Sequence, residues 1–244
     1  MISIAVRGPL WAALLLAACG SAPALPPEAA ASGAQANANG PRFPPPDRPV
    51  AGIVSDRWSD EASRDNAGEA AEVVRLLGIE QGMAIADIGA GSGYYTVRLS
   101  PRVGPEGKIY ANDIIPDYLA RLKSRIAADG LANVEAILGD PGDARLPAAS
   151  TDIALMVHMY HEIEDPFGLL WHLHDSLKPG GRVAIIDADR PTARHGTPPA
   201  LLKCELAAAG FTQVAFHPLQ GNYLAVFQPG VRPDPVAIRP CRAQ

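Results

Sequence analysis

The sequence has little that would suit a nucleic-acid binder or a membrane-spanning protein. Its 244 residues include 21 Lys or Arg and 26 Asp or Glu, which gives a formal net charge of -5. A non-specific nucleic-acid binder normally carries a basic surface, so nucleic acid is not expected as a partner. Beyond the N-terminal segment, no hydrophobic run is long enough to span a bilayer.

Cysteine is scarce, with three in the chain. No Cys-x-x-Cys pair or standard zinc spacing is present, so a cysteine-based zinc site is not expected. Cys204 lies on a predicted helix and Cys241 lies in the C-terminal tail. In an oxidising compartment the two could form a disulfide, but the pattern favours two unpaired thiols, one buried and one in the tail.

The first residues have the features of an export signal. A short positively charged end at Met1–Arg7 precedes an apolar run at Gly8–Ala18, which is too short for an ordinary membrane helix. The sequence Leu16-Ala17-Ala18-Cys19 resembles the lipobox of bacterial lipoproteins. This resemblance implies that residues 1–19 are a lipoprotein signal peptide and that Cys19 becomes lipidated. The alternatives are a plain secretory signal and an artefact of upstream translation.

The domain organisation follows from the composition after the signal. Residues 20–49 are rich in Ala, Pro, Gly and Asn and are predicted to be a disordered linker. Residues 50–230 are predicted to form one domain, followed by an irregular C-terminal tail at 231–244. The expected location is the cell envelope, lipid-anchored at the outer membrane or the periplasmic face. If the lipobox is not used, the protein is expected in the cytoplasm.

Within the domain, short apolar segments alternate with segments of helical periodicity. Strands that are apolar on both faces are typical of a largely parallel sheet covered by helices on both sides. A final pair of strands with no helix between them breaks the alternation. The expected fold class is therefore α/β.

A glycine loop, Gly89-Ala90-Gly91-Ser92-Gly93, follows the first apolar strand and precedes a helix. Glycines allow a sharp turn and the close approach of a ligand. The spacing Gly-x-Gly-x-Gly differs from the Gly-x-Gly-x-x-Gly of dinucleotide enzymes, which disfavours a nicotinamide dehydrogenase. Asp87 precedes the loop, where a carboxylate can face a cationic ligand, and Asp113 lies at the tip of the second strand, where it can accept from ribose hydroxyls.

Three segments together resemble class I S-adenosylmethionine (SAM)-dependent methyltransferases. Asp87–Gly93 resembles motif I of that family, Asn112-Asp113 resembles the acidic end of motif II, and Leu177–Arg182 resembles the turn before strand five. The resemblance implies a Rossmann-like, seven-stranded, mostly parallel sheet of order 3-2-1-4-5-7-6, with strand seven antiparallel and helices on both faces.

SAM is the cofactor that this resemblance implies. Asp87 would lie near its amino acid part, Gly89, Ala90, Gly91 and Gly93 near its methionine and ribose, and Asp113 with Ile114 near the ribose. Either Asp140 or Asp143 would face the adenine, and His158 is a further cofactor contact.

The family varies at its substrate residues, so the acceptor side is interpreted from the residues alone. His158, Tyr160, His161 and Glu162 follow the fourth strand and Asp187 ends the fifth, where ligands bind in open α/β sheets. His158 or His161 is a candidate general base, with Glu162 orienting the ring, and Tyr160 is placed over the cofactor or acceptor. The alternative is that the histidines are ordinary wall and loop residues.

A metal site at the same place is not expected. His158, His161, Glu162, Asp187 and Asp189 offer suitable ligand atoms, but their spacing fits no standard zinc pattern.

Trp58, before the first helix, and His195, in the loop after strand five, are further candidate substrate contacts, Trp58 as part of a cap and His195 as part of a lid. Packing and a plain connection are the alternatives.

The sequence therefore predicts a SAM-dependent methyltransferase with an unidentified, small-molecule acceptor. The alternative is a non-catalytic SAM-fold ligand-binding lipoprotein of the cell envelope, because SAM is made in the cytoplasm and a lipoprotein faces outward. The oligomeric state is not indicated.

Overall fold

The computed structural model describes residues 40–53 and 61–242, and the predicted signal peptide, most of the linker and Trp58 lie outside the described residues. Seven strands form one sheet. They are β1 (Ala84–Ile88), β2 (Lys108–Asp113), β3 (Val134–Leu138), β4 (Thr151–Val157), β5 (Leu177–Asp187), β6 (Phe211–Leu219) and β7 (Asn222–Pro229).

Six α-helices surround the sheet in the described part of the chain. They are α1 (Glu61–Asn66), α2 (Glu69–Leu77), α3 (Tyr94–Val103), α4 (Pro116–Ala128), α5 (Pro166–Ser176) and α6 (Pro199–Ala208). Single 3₁₀ turns occur at Tyr160–Glu162, Thr192–Arg194 and Pro235–Ala237. None of these described helices has the length and apolar character needed to cross a membrane.

The strand order is β3-β2-β1-β4-β5-β7-β6, which confirms the predicted topology. Neighbouring strands from β3 to β5 run parallel, and β7 is antiparallel to both β5 and β6. Because β1 and β4 are the central parallel strands, the loops that follow them open at the same edge of the sheet. This edge is where a ligand binds in an open α/β sheet.

Alternate residues of the central strands pack on opposite faces. Ile85 and Leu155 belong to a core that includes residues of α2 and α3. Ala86 and Met156 belong to a second core, formed with residues of α5 and α6. Burial on both faces explains why these strands are continuously apolar rather than alternating. The sheet is therefore a rigid platform for the loops at its carboxyl edge.

The end of the predicted linker belongs to the folded domain. Phe43 packs against the α5 side of the core, and Arg48 is buried. Arg48 Nε donates to Glu205 Oε1 on α6 at 2.9 Å, and the backbone N–H of Ala51 donates to the carbonyl of His161 at 3.0 Å. The predicted boundary at residue 49 is thus corrected to a point before Phe43, because an apolar ring and a buried ion pair anchor this segment.

The C-terminal tail is also attached to the domain. Cys241 forms a disulfide with Cys204 of α6. Ile238, three residues before Cys241, is also buried. The sequence favoured unpaired thiols, and the structure corrects this because the tail returns to α6. Irregular backbone in the tail is therefore compatible with a fixed position on the domain.

Candidate functional site

The loop between β1 and α3 turns through three glycines with left-handed backbone. The φ angles are +69° at Gly89, +54° at Gly91 and +86° at Gly93, where other residues are strained. A β carbon on Gly89 would lie 3.0 Å from Met159 Cγ, and one on Gly93 would lie 2.5 Å from Leu122 Cδ1. The loop is therefore held close to the end of β4 on one side and to α4 on the other.

Asp113, at the end of β2, fixes this loop. Its Oδ2 accepts a hydrogen bond from the backbone N–H of Gly91 at 2.9 Å, and its Oδ1 accepts one from Ile115 at 2.9 Å. An ionised carboxylate accepts several hydrogen bonds. The same side chain can therefore hold the glycine loop and receive the two hydroxyls of a ribose.

Asp87 is a buried carboxylate on β1, beneath the glycine loop. Burial raises its pKa to about 6, against the opposing effects of the hydrogen bonds from Thr96 and the charge of Arg64. The Thr96 hydroxyl donates to Asp87 Oδ2 at 2.6 Å. A cationic ligand group at this position would favour the ionised form of Asp87.

Arg64 places a positive charge at the same wall, and the sequence motifs did not indicate it. Its guanidinium carbon lies 3.7 Å from the ring centre of Tyr94, and its Nε donates to Glu69 Oε2 at 3.1 Å. Asp87 and Arg64 both line the cavity described next. The carboxylate of Asp87 and the guanidinium of Arg64 are complementary in charge to the ammonium and the carboxylate of the methionine part of SAM.

A cavity of about 370 Å³ opens at the carboxyl edge of the sheet. This volume lies within the range of pockets for small molecules and cofactors. Nine predicted site residues line it: Asp87, Gly89, Ala90, Gly91, Asp113, Ile114, Asp140, His158 and Glu162. Wall residues that the sequence analysis missed include Ala51, Gly52, Ile53, Arg64, Tyr94, Tyr118 and Met159.

The two aspartates after β3 have different positions. Asp140 lines the cavity, and its carboxylate pairs with Arg145. Asp143 does not line the cavity, because its Oδ1 accepts a hydrogen bond from the backbone N–H of Arg145 at 2.7 Å. Of the two residues proposed to face an adenine, Asp140 is therefore the one in position.

His158 and Glu162 are titratable residues that also line the cavity. His158 follows β4 with a φ of +54°, and its ring lines the cavity. Burial lowers the pKa of His158. Burial also disfavours the charged form of Glu162, which raises its pKa to about 7 against the opposing effect of His161. The cavity is thus lined by both the glycine loop and titratable groups.

His161 does not line the cavity, although it adjoins Glu162. Its ring is buried, and Nδ1 lies 3.1 and 3.0 Å from the two carboxylate oxygens of Asp187. Asp187 also accepts hydrogen bonds from the backbone N–H of Ala188 at 2.8 Å and from the hydroxyl of Thr197 at 2.7 Å. Asp187 is therefore a positioning residue behind His161 and does not reach the cavity.

Tyr160 and His195 also differ from their predicted places. Tyr160 is fully buried, with the guanidinium of Arg48 5.4 Å from its ring centre, and does not line the cavity. The prediction that it packs over cofactor or acceptor is corrected, because the 3₁₀ turn directs its ring into the core. His195 is half-buried with its ring centre 5.5 Å from that of His161, and it does not line the cavity.

Comparison with known proteins is consistent with this geometry. Residues 85–181 match a family model described as a methyltransferase domain. Demethylmenaquinone methyltransferase of Geobacillus stearothermophilus is 29% identical over 121 residues, which are 50% of this chain and 52% of that one. The Lactococcus lactis protein of the same name is 29% identical over 122 residues, 50% of this chain and 48% of that one. The chain spans about half the length of these relatives.

Solved structures with the same fold include a SAM-dependent methyltransferase from Aquifex aeolicus. It has a TM-score of 0.61 and 23% identity, over 69% of this chain and 97% of that one. The [4+2]-cyclase SpnF has a TM-score of 0.59 and 16% identity, over 75% of this chain and 87% of that one. These likenesses support the fold, which therefore serves more than one named activity.

Residues 85–181 thus match the model of a methyltransferase domain, and the solved structures share the fold. The glycine loop and Asp113 line one cavity, which is the arrangement that the sequence predicted for SAM.

Proposed function

We propose that this protein transfers a methyl group from SAM to a small-molecule acceptor. The observation that carries the proposal is one cavity, lined by the glycine loop and Asp113 and also by His158 and Glu162. Bound SAM supplies an electrophilic methyl group on a sulfonium centre. The chain's own contribution is to align an acceptor with that group, because alignment accounts for much of the acceleration of an in-line displacement.

The cofactor contacts are assigned from the groups along the cavity wall. Asp87 and Arg64 take the ammonium and carboxylate of the methionine part, and Asp113 takes the ribose hydroxyls. Asp140 and the exposed side chain of Ile114 line the same cavity, and Asp140 is assigned to the adenine. Each group is matched in charge or polarity to the part of the cofactor that it faces.

The acceptor is proposed to have an apolar body. Ile53, Met159, Ile163 and Leu169 line the cavity, and the Ile53 side chain is also exposed to solvent. The two relatives described above are named for demethylmenaquinone, and this supports a similar class of acceptor here. An apolar wall favours an acceptor with an apolar part, because burying that part removes apolar surface from water.

His158 is the proposed general base. Of the histidines that the structure describes, it is the one whose ring lines the cavity. Burial lowers its pKa, so the imidazole is neutral near neutral pH and can accept a proton from the acceptor. Glu162, on the same wall, is in position to hydrogen-bond an acceptor hydroxyl.

Replacing His158 with asparagine is expected to lower kcat by about 100-fold while leaving the affinity for SAM nearly unchanged, because a base acts on the transition state. The measurement is transfer of labelled methyl from SAM to demethylmenaquinol and to a bacterial total lipid extract. His217→Asn, at a half-buried histidine on β6, is the control and should keep the wild-type rate. An unchanged kcat in His158→Asn would remove the base. SAM binding without labelling of any lipid would favour the non-catalytic alternative.

We also propose that the protein is exported and lipid-anchored through Cys19. The lipobox-like Leu16–Cys19 supports this location, and so does the Cys204–Cys241 disulfide, because disulfides persist in oxidising compartments. When the full chain is expressed in a bacterium with labelled palmitate, wild-type protein is expected to carry the label and Cys19→Ser to lose it. Cys241→Ser should keep the label. Equal labelling of wild type and Cys19→Ser would contradict the anchor.

A further inference from the structure

Three ligand-type side chains meet beside the cavity, at the ends of β4 and β5. His161 and Glu162 belong to the 3₁₀ turn after β4, and His195 ends the 3₁₀ turn after β5. One donor atom from each lies within 4.8 Å of the other two. Glu162 Oε1 is 3.9 Å from His161 Nε2 and 3.9 Å from His195 Nδ1. The carboxylate therefore lies between the two imidazoles.

The orientation of His161 is fixed from behind. Because the Asp187 carboxylate lies 3.0 Å from Nδ1, that nitrogen carries the proton in the neutral ring, and Nε2 is left as an acceptor. Nε2 is buried and has no hydrogen-bond partner among the described residues. Buried polar atoms are nearly always satisfied, so this nitrogen points to a ligand that it would bind.

We propose that His161 Nε2, Glu162 and His195 Nδ1 bind one divalent transition-metal ion. Two imidazoles and one carboxylate suit zinc or iron(II) better than magnesium or calcium, which prefer oxygen ligands alone. A carboxylate behind a ligating histidine, as Asp187 is behind His161, is the usual outer partner in such sites. Two donors on one tetrahedral ion lie about 3.4 Å apart, so Glu162 needs to approach each imidazole by about 0.5 Å.

The proposed metal site adjoins the cavity through Glu162. Glu162 lines the cavity, whereas the two histidines lie behind it. Three protein ligands leave at least one coordination position for a further group, as in catalytic zinc sites. An ion here would face an acceptor oxygen and lower the pKa of an acceptor hydroxyl. A metal was not expected from the sequence because the spacing of the candidate ligands fits no standard zinc pattern, and His195 was not among those candidates.

The test is a calorimetric titration of ZnCl₂ into the purified, chelator-treated full chain, with the visible absorption of bound Co²⁺ as a second readout. Wild type is expected to bind one equivalent. His161→Gln and His195→Asn should each weaken binding by at least about tenfold, and Asp187→Asn by about tenfold or more through loss of the outer partner. His217→Gln, at a half-buried histidine on β6, should bind as wild type does.

The half-buried His195 makes His195→Asn the variant least prone to misfold, and thermal melting of each metal-free variant checks that it is folded. Wild type that binds neither ion, or folded variants that bind as tightly as wild type, would overturn the proposal. An equal loss in His217→Gln would indicate scattered surface binding and would overturn it too. The titration contains no SAM and no acceptor, so a chain that binds zinc but transfers no methyl contradicts the proposed function alone.

Discussion

Replacing Arg48 with methionine is expected to lower the free energy of unfolding by about 3–5 kcal/mol, the usual cost of removing one partner from a buried ion pair. Arg48 and Glu205 have fully buried side chains, and Arg48 Nε lies 2.9 Å from Glu205 Oε1. Without Arg48 the buried carboxylate has lost its counter-charge, and burial already raises the pKa of Glu205. The measurement is urea denaturation of the disulfide-intact protein.

Two control variants separate burial from charge. Arg75→Met removes an exposed pair with Glu72 and is expected to cost less than about 1 kcal/mol. The double variant Arg48→Met/Glu205→Met replaces both charges with apolar groups and should recover most of the loss. A loss below about 1 kcal/mol in Arg48→Met, or no recovery in the double variant, would contradict the buried-pair account.

Arg48 also supports backbone segments that lie next to the cavity. Its Nη1 donates to the carbonyl of His161 at 3.4 Å and its Nη2 to that of Tyr160 at 3.3 Å. The segment that carries Arg48 continues to Ala51 and Ile53, which line the cavity. The N-terminal segment therefore supports the turn after β4 and also forms one wall of the site.

Changing Asp113 to alanine is expected to weaken SAM binding by about 100-fold. Hydrogen bonds to a charged group contribute about 1.5–3 kcal/mol each, and every 1.4 kcal/mol is tenfold in affinity. The change removes the acceptor for the N–H of Gly91 and the proposed acceptor for the ribose hydroxyls. The loop and the ligand therefore lose the same anchor. Calorimetric titration with SAM measures the effect.

Asp117→Ala is the matched control for this change. Asp117 is an exposed aspartate in the first turn of α4, a few residues after Asp113. It should bind SAM as wild type does. If Asp113→Ala loses less than about threefold in affinity while remaining folded, the ribose assignment is wrong, because a charged acceptor at that position would cost more.

The glycine loop was predictable because its determinants are local, and the sheet order followed from the resemblance of three local motifs to a known family. Gly89, Gly91 and Gly93 are spaced for a sharp turn, and Asp113 follows a strand at the distance that brings it beside the loop. Buried parallel strands are recognisable as apolar runs. The structure places the loop and Asp113 at one cavity, as these patterns indicated.

The remaining features depend on contacts between distant parts of the chain. Arg48 meets Glu205 across 157 residues, and Cys204 meets Cys241 across 37. No local pattern reports such contacts, so the linker boundary and the thiol state were mispredicted. The direction in which a side chain of a tight turn points is likewise not indicated by a local pattern. Tyr160 was therefore placed in the site, although its ring lies in the core.

A calorimetric titration of SAM into the purified chain tests whether the cavity binds this cofactor. We expect saturable binding at one site, competition by S-adenosylhomocysteine, and no competition by NADH. No heat of binding with SAM from folded protein would contradict it. Binding that NADH displaces and S-adenosylhomocysteine does not would also contradict it, because the cavity around Gly89–Gly93 and Asp113 would then belong to a dinucleotide.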